Sequence, residues 1–142
     1  MNKMKKIFII IFILIAVGSL VFAYQEENRE AKILFVGDMM FDRYIRQVGY
    51  NKGEDFIFSC KDSGGVSLSE FLKSADLVVG NLEGPITENA SKSMFTTPGG
   101  EGNYTFTFPT NTAKLLAKNN IKLVSLGNNH IGNFGQEGIV ST

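Results

Sequence analysis

Three short polar segments, each preceded by an apolar stretch, hold most of the side chains in this sequence that could do chemistry. The segments are Gly37-Asp38, Gly80–Glu83 and Gly127–His130. They provide two carboxylates, several amides and the one histidine of the chain. Carboxylate, amide and imidazole groups together suit a divalent metal such as Mn, Fe or Zn. Such a metal lowers the pKa of bound water and polarises a phosphoryl or carbonyl oxygen.

The apolar stretches before these segments are predicted to be β-strands. They comprise Lys32–Val36, Asp76–Gly80 and Ile121–Leu126, and such nearly unbroken apolar runs are typical of strands covered on both faces. Helical patterns alternate with them, at Tyr44–Val48, at Ser67–Ser74, from Thr110 or Asn111 to Asn120, and from Gly135 to Thr142. This alternation predicts an α/β fold with a largely parallel sheet.

The polar side chains after the strands are expected to converge, because ligands of open α/β sheets bind beyond the carboxyl ends of the strands. The expected set is Asp38, Asn81, Glu83, Asn129 and His130. Plainer roles stay open for each residue: a turn cap for Asp38, a solvated acid for Glu83, turn residues for Asn128 and Asn129, and a structural hydrogen bond for His130. Arg43 is either a surface charge or a ligand for an anionic substrate.

Other local patterns predict the remaining structure between the strands. Ser67 followed by Glu70 has the spacing of a capping box at the start of a helix. The polar, glycine-rich segments 51–65 and 87–103 are predicted to be loops. Tyr104–Phe108 alternates aromatic residues with threonine and is predicted to be a short strand.

The first 23 residues have the layout of a secretory signal peptide. Three lysines within the first six residues precede an apolar run, and small residues at Val21 and Ala23 could mark a cleavage site. Ile7–Ala23 is also long enough, at about 17 residues, to remain as a membrane anchor. We expect residues 24–31 to be a linker and residues 32–142 to work outside the cytoplasm, secreted or anchored.

Charge and cysteine content exclude several classes of protein. The chain has 14 basic and 14 acidic residues; without the first 23 residues the counts are 11 and 14, a net charge of −3. No basic cluster follows the first six residues, which argues against nucleic-acid binding. The single cysteine, Cys60, excludes an internal disulfide framework and a Cys-x-x-Cys metal site.

Three segments carry a resemblance to a known family: Val36–Arg43, Ala75–Thr87 and Leu123–Gly138. In order and spacing they resemble the CapA family of bacterial capsule and poly-γ-glutamate biosynthesis proteins, within the calcineurin-like metallophosphatase superfamily. The resemblance covers residues 32–142. It implies a sandwich of two β-sheets flanked by helices, and we expect this chain to hold only the N-terminal part of it, since its sequence stops within a predicted helix.

The resemblance also implies roles for individual residues. Asp38, Asn81, Glu83 and Asn129 stand at metal-ligand positions, and His130 stands where a histidine stabilises or protonates the reacting group, with Asn129 beside it. Arg43 and Asn128 are expected to bind substrate. Asn81 replaces a bridging aspartate of the wider superfamily, and Asn133 stands where CapA relatives commonly have aspartate. Because the histidines of the superfamily's second half are absent, we expect an incomplete site for Mn, Fe or Zn.

The expected function is participation of an exported protein in the synthesis of an anionic surface polymer. Its partners would be that polymer or a phosphoester substrate, the membrane through an uncleaved helix, and subunits of a polymer synthase. Two alternatives stay open: a non-catalytic, membrane-anchored accessory or polymer-binding subunit, and a general exported phosphoesterase. Whether the chain is itself an enzyme stays open with them.

Overall fold

The computed structural model describes residues 2–27 and 30–142, apart from the side chains of Ala23 and residues 25–27. The chain divides into two compact units, Met1–Ala31 and Lys32–Thr142. Helix α1 (Lys3–Glu27) forms the first unit. Its segment Lys3–Phe22 is long and apolar enough to cross a membrane, a property that signal sequences share.

Helix α1 continues beyond Ala23 and includes residues 24–27 of the segment predicted to be a linker. Residues 28 and 29 of that segment, and Met1 of the predicted signal segment, lie outside the described residues. The end of the helix therefore does not coincide with the candidate cleavage position.

The second unit is an α/β fold. Its elements are β1 (Ile33–Met39), α2 (Arg43–Lys52), α3 (Phe56–Ser59), α4 (Leu68–Lys73), β2 (Leu77–Leu82), α5 (Thr112–Lys118), β3 (Ile121–Ser125) and α6 (Gly135–Ser141). The three strands form one parallel sheet in the order β1-β2-β3. This confirms the predicted fold class and all three strands. The described residues contain this one sheet, and the two-sheet sandwich stays a prediction.

The core lies on one face of the sheet. Val78 and Leu82 of β2 are buried there with side chains from the helices and from the segment before α5; these are Phe58, Leu72, Phe106, Phe108 and Leu116. Each such side chain stabilises the fold by about 1.5–3 kcal/mol when fully buried. On the other face, Ile33, Phe35 and Leu123 are 50%, 75% and 52% exposed. The prediction that both faces are covered was wrong for this chain, because the buried helix side chains that the structure describes join only one face.

Two predictions of local structure were also wrong. Segment 51–65 is not all loop, since α2 runs to Lys52 and α3 forms where Phe58 packs into the core. Tyr104–Phe108 forms no strand, and its only ladder contact is a bridge between Phe108 and Ile86. The reason is that side chains bind both backbone groups of Thr107: its N–H donates to Asp42 Oδ2 at 2.9 Å, and its carbonyl accepts from Arg46 Nη1 at 2.9 Å.

The predicted start of α4 is confirmed in detail. Ser67 Oγ accepts a hydrogen bond from the Glu70 N–H at 3.2 Å, and Glu70 Oε2 accepts one from the Ser67 N–H at 2.8 Å. This reciprocal pair satisfies two donors that a helix end leaves without intrahelical partners. The capping residues alone were enough to predict it.

Candidate functional site

Asp38 and Asn81 are paired across neighbouring strands at the ends of β1 and β2. Side chains alternate between the two faces of a strand, so Asp38 would normally face away from Phe35, three residues earlier. The register shifts between these two residues, as in a β-bulge. The extra residue on β1 turns Asp38 onto the face that Asn81 occupies.

Gly80, next to Asn81 on β2, leaves room for side chains of β1. A Cβ atom on Gly80 would lie 2.8 Å from Val36 Cγ2 and 2.9 Å from Met39 Cε, closer than carbon atoms tolerate. The missing side chain therefore makes room for two core residues on the face opposite Asn81.

Asn81 is the centre of the polar cluster. Its amide nitrogen donates to Asp38 Oδ1 at 2.8 Å and to Glu83 Oε2, while its oxygen accepts a hydrogen bond from Asn128 Nδ2 at 3.1 Å. One amide therefore holds two carboxylates together and links them to the end of β3.

Asn128 fixes the orientation of that amide. Its oxygen accepts hydrogen bonds from the backbone N–H groups of His130 and Ile131 at 2.9 and 3.0 Å. Its nitrogen donates to the Leu82 carbonyl at 2.8 Å as well as to Asn81. Because backbone N–H groups only donate and carbonyls only accept, Asn128 can be placed only one way round. The nitrogen of Asn81 consequently faces the carboxylates.

His130 lies at the other end of the cluster. Its Nε2 is 3.8 Å from Glu83 Oε1, and only 15% and 13% of the two side chains is exposed. Its Nδ1 is 3.1 Å from Asn133 Nδ2, and that nitrogen also donates to the Tyr104 carbonyl at 3.0 Å. Nδ1 therefore accepts, and the proton of the neutral ring lies on Nε2, toward Glu83.

Arg43 connects to this end of the cluster through aromatic rings. Its Cζ lies 4.6 Å from the centroid of Phe106 and 5.1 Å from that of Tyr104. The Phe106 ring in turn contacts the His130 ring, with 4.3 Å between centroids. Arg43 Nε donates to the Asn103 carbonyl at 2.8 Å, which fixes the position of the guanidinium group.

The structure thus brings together most of the residues predicted for the site. Asp38, Asn81, Glu83, Asn128 and His130 form one connected group, and Arg43 joins it through Phe106. Asn129 does not join, since its side chain is exposed and makes no hydrogen bond to any described residue.

Sequence reasoning missed Asp42, directly before α2, and the residues of the segment before α5 that bind it. Asp42 is fully buried, and its carboxylate accepts hydrogen bonds from the Ser91 hydroxyl at 2.5 Å and from the Thr107 N–H at 2.9 Å. These bonds fasten the polar loop to the start of α2. The sequence signal for this contact was the acidic residue directly before Arg43. Its partners could not be identified from the sequence, because they lie 49 and 65 residues away.

The donor types in the cluster fit a divalent metal, but their number falls short of a complete site. Among the described residues, no three His, Cys, Asp or Glu side chains lie close enough to hold a metal ion. The Asn81 nitrogen lies between the carboxylates of Asp38 and Glu83, where a cation would have to bind. The metal therefore stays a prediction for this chain.

Comparisons with known proteins place the second unit in a family. The family model "Bacterial capsule synthesis protein PGA_cap" matches residues 32–142. A "Capsule biosynthesis protein CapA" of Bacillus anthracis is 26% identical over 116 residues, which cover 82% of this chain and 26% of that protein. A "PGA biosynthesis protein CapA" of Bacillus subtilis (strain 168) is 28% identical over 113 residues, or 76% of this chain and 25% of that protein.

The chain spans about a quarter of the length of these curated relatives. The family match nevertheless covers the whole unit that contains the polar cluster. It confirms the resemblance to CapA proteins that the three sequence segments indicated. The chain belongs to the PGA_cap family of bacterial capsule synthesis proteins.

Proposed function

We propose that this protein takes part, outside the cytoplasm, in the biosynthesis of an anionic capsule polymer of the poly-γ-glutamate type. The observation that carries the proposal is the polar cluster centred on Asn81, which lies at the strand ends of a PGA_cap domain. Ligand sites of open parallel sheets lie at this edge. The names of the two relatives support the choice of polymer, since they refer to capsule and PGA biosynthesis.

Export is supported by the N-terminal helix. Lys3, Lys5 and Lys6 stand at the start of an apolar segment of 20 residues, and basic residues stay on the cytoplasmic side of a membrane. The second unit then follows on the opposite side. Both a cleaved signal and a retained anchor fit this arrangement.

The cluster supports a metallophosphatase-type chemistry on a phosphoester or amide bond. Asp38 and Glu83 would provide carboxylate ligands to a divalent metal, which would supply activation of water and polarisation of the bond to be cleaved. Asn81 would add an oxygen ligand only with its amide turned over, and Asn129 only with its exposed side chain turned toward the cluster. His130 presents its Nε2 proton beside Glu83 and is placed to donate it to a reacting oxygen or nitrogen. Asn128 holds the backbone of His130, and Arg43 holds an anionic group of the substrate.

A non-catalytic role as an accessory or polymer-binding subunit is the second candidate. It is favoured by the position of the Asn81 nitrogen between the carboxylates, and by the shortage of acidic and histidine ligands among the described residues. In that role, the cluster would be a rigid polar surface that binds polymer, and the protein would act with the subunits of a polymer synthase.

The experiment is genetic complementation with a quantitative readout of surface polymer. Cells without their own copy of the gene receive the wild-type protein, Asp38→Ala, His130→Ala or the control Lys114→Gln, whose side chain is exposed on α5. The protein level is measured in each strain. The proposal predicts that the deletion lowers surface polymer and that the wild type and the control restore it.

The two site variants separate the two candidate roles. If each leaves polymer at least tenfold below wild type with normal protein levels, and the purified variants still bind poly-γ-glutamate as tightly as wild type does, the site acts in catalysis. If the surface polymer falls only where polymer binding is lost, or if both variants restore it fully, the accessory role is correct. A deletion strain with an unchanged amount of polymer would contradict both.

A further inference from the structure

Two cations lie against aromatic rings near the His130 end of the polar cluster. Arg43 stacks on Tyr104 and Phe106, as described above, and Lys92 Nζ lies 5.3 Å from the centroid of Phe134. Phe134 directly follows Asn133, whose side chain contacts His130. The Arg43 N–H donates to Ser93 Oγ at 3.3 Å, and Ser93 directly follows Lys92. The two cations therefore border the same region, Arg43 from the start of α2 and Lys92 from the loop that contacts it.

Both cations are free to bind an external anion. Among the described residues, neither the terminal nitrogens of Arg43 nor the ammonium group of Lys92 has a hydrogen-bond partner or a carboxylate within ion-pair distance. Other cations of this unit differ: Arg46 donates to the Thr107 carbonyl at 2.9 Å, and Lys118 is paired with Asp55.

The backbone at Arg43 is strained. Its φ is +53°, in the left-handed region that side chains with a Cβ rarely adopt. Arg43 is also the first residue of α2, where the helix dipole disfavours a positive charge. Strain of this kind is concentrated at ligand sites, where it holds a group in place before the ligand arrives.

We propose that Arg43 and Lys92 form a two-point binding surface for the carboxylates of an acidic polymer. The inference rests on the proposed function, which supplies the polymer, and adds the residues that bind it. The planar guanidinium fork of Arg43 matches one carboxylate, and the ammonium group of Lys92 attracts another as a point charge. Because the two sites are linked, a polymer binds more tightly than the single carboxylic acid from which it is built.

The test uses the full chain in detergent micelles and fluorescein-labelled poly-γ-glutamate, with fluorescence polarisation as the readout. Arg43→Gln and Lys92→Gln are each expected to weaken binding about tenfold, as expected for the loss of one charge-assisted contact. Lys114→Gln, which removes an equal charge from α5, is expected to change binding less than twofold. Arg43→Lys keeps the charge but loses the fork, and it is expected to fall between wild type and Arg43→Gln.

Competition experiments establish which anion the surface prefers. Unlabelled poly-γ-glutamate is expected to displace the probe at far lower concentration, per carboxylate, than monomeric glutamate. Inorganic polyphosphate that displaces the probe better than poly-γ-glutamate of equal charge would overturn the assignment to carboxylates.

Circular dichroism of each variant confirms that it is folded, and Lys92→Gln alters no hydrogen bond seen in the structure.

The outcomes separate this inference from the proposed function. If Arg43→Gln and Lys92→Gln bind the polymer as tightly as wild type does, the two-point surface is wrong. The same holds if Lys114→Gln weakens binding as much as they do. Both results leave the polymer role intact. If the wild-type chain binds no polymer, the surface is wrong. The polymer role is then decided separately by the surface polymer of the deletion strain.

Discussion

The side-chain nitrogen of Asn133 lies 3.1 Å from Nδ1 of His130 and 3.0 Å from the carbonyl oxygen of Tyr104. A carbonyl oxygen can only accept, so this nitrogen donates in both directions and Nδ1 of His130 must accept. The proton of the neutral ring consequently lies on Nε2, toward Glu83. Aspartate, the residue that the family resemblance implies at this position, would accept from Nδ1 and favour the opposite tautomer.

Asn133→Asp is therefore expected to move the proton of the neutral ring from Nε2 to Nδ1. The ¹⁵N chemical shifts of the imidazole nitrogens report the tautomer, and His130 is the one histidine of the chain, so its signals need no assignment. Asn51→Asp adds the same charge at an exposed position and should leave the spectrum unchanged. An Nδ1 proton in the wild-type neutral ring would show that the tautomer is misassigned.

Asn81→Asp is expected to create a stronger metal site. The substitution replaces an amide nitrogen between two carboxylates with a third carboxylate, so the charges repel without a cation and bind tightly to one. We expect the variant to melt at a lower temperature than wild type without metal, and to gain more stability than wild type from millimolar Mn²⁺. Asn51→Asp is the control. Equal stabilisation of Asn81→Asp and wild type by Mn²⁺ would show that metal does not bind here.

Asn128→Ala is expected to destabilise the fold by about 1–3 kcal/mol, because it leaves partly buried backbone groups and Asn81 without their partners. Its neighbour provides a matched control. Asn129→Ala should change the free energy of unfolding by less than about 0.5 kcal/mol, since Asn129 is exposed and hydrogen-bonds to no described residue. Urea denaturation of the full chain in micelles measures both. Equal effects of the two substitutions would contradict the orienting role of Asn128.

The capping box at α4 predicts a pH dependence of stability. Hydrogen bonds from the side chain and then the backbone of Ser67 lower the pKa of Glu70 below its ordinary value of 4.5. A carboxyl group with a depressed pKa in the folded state stabilises the fold above its unfolded pKa, and this contribution is lost as the pH falls through the folded pKa. Glu70→Gln should therefore lose less stability than wild type on acidification below about pH 4.5.

The control for this prediction is Glu88→Gln, an exposed acid whose side chain forms no hydrogen bond or ion pair with any described residue. It should follow the wild-type curve of unfolding free energy against pH. If Glu70→Gln follows that curve as well, the capping carboxylate does not carry the pH dependence.

Local patterns in the sequence were sufficient for the strands, the parallel α/β class and the start of α4. Each depends on residues within one element, such as the Ser67–Glu70 pair. The convergence at the sheet edge was also predictable, since parallel strands end together. The joining of Asp38, Asn81 and His130 into one group agrees with that expectation.

The arrangement within the cluster could not be predicted, because it depends on contacts between distant residues. The register shift in β1 turns Asp38 toward Asn81, and the amide of Asn128, 47 residues away, sets which atom of Asn81 faces the carboxylates. The adjacent asparagines 128 and 129 are identical in type, yet only the first joins the cluster. Similarly, Asp42 draws Thr107 away from strand pairing, which no alternation of residue types reveals.

The central claim is that the strand-end cluster and its two cations bind an anionic polymer. The most direct test is to add poly-γ-glutamate to the uniformly ¹⁵N-labelled full chain in micelles and map the amide chemical-shift changes. The largest changes are predicted at Arg43, Lys92 and the segment 128–134, with little change in α4 and α5. Changes confined to those two helices, or no change at all at saturating polymer, would contradict the claim.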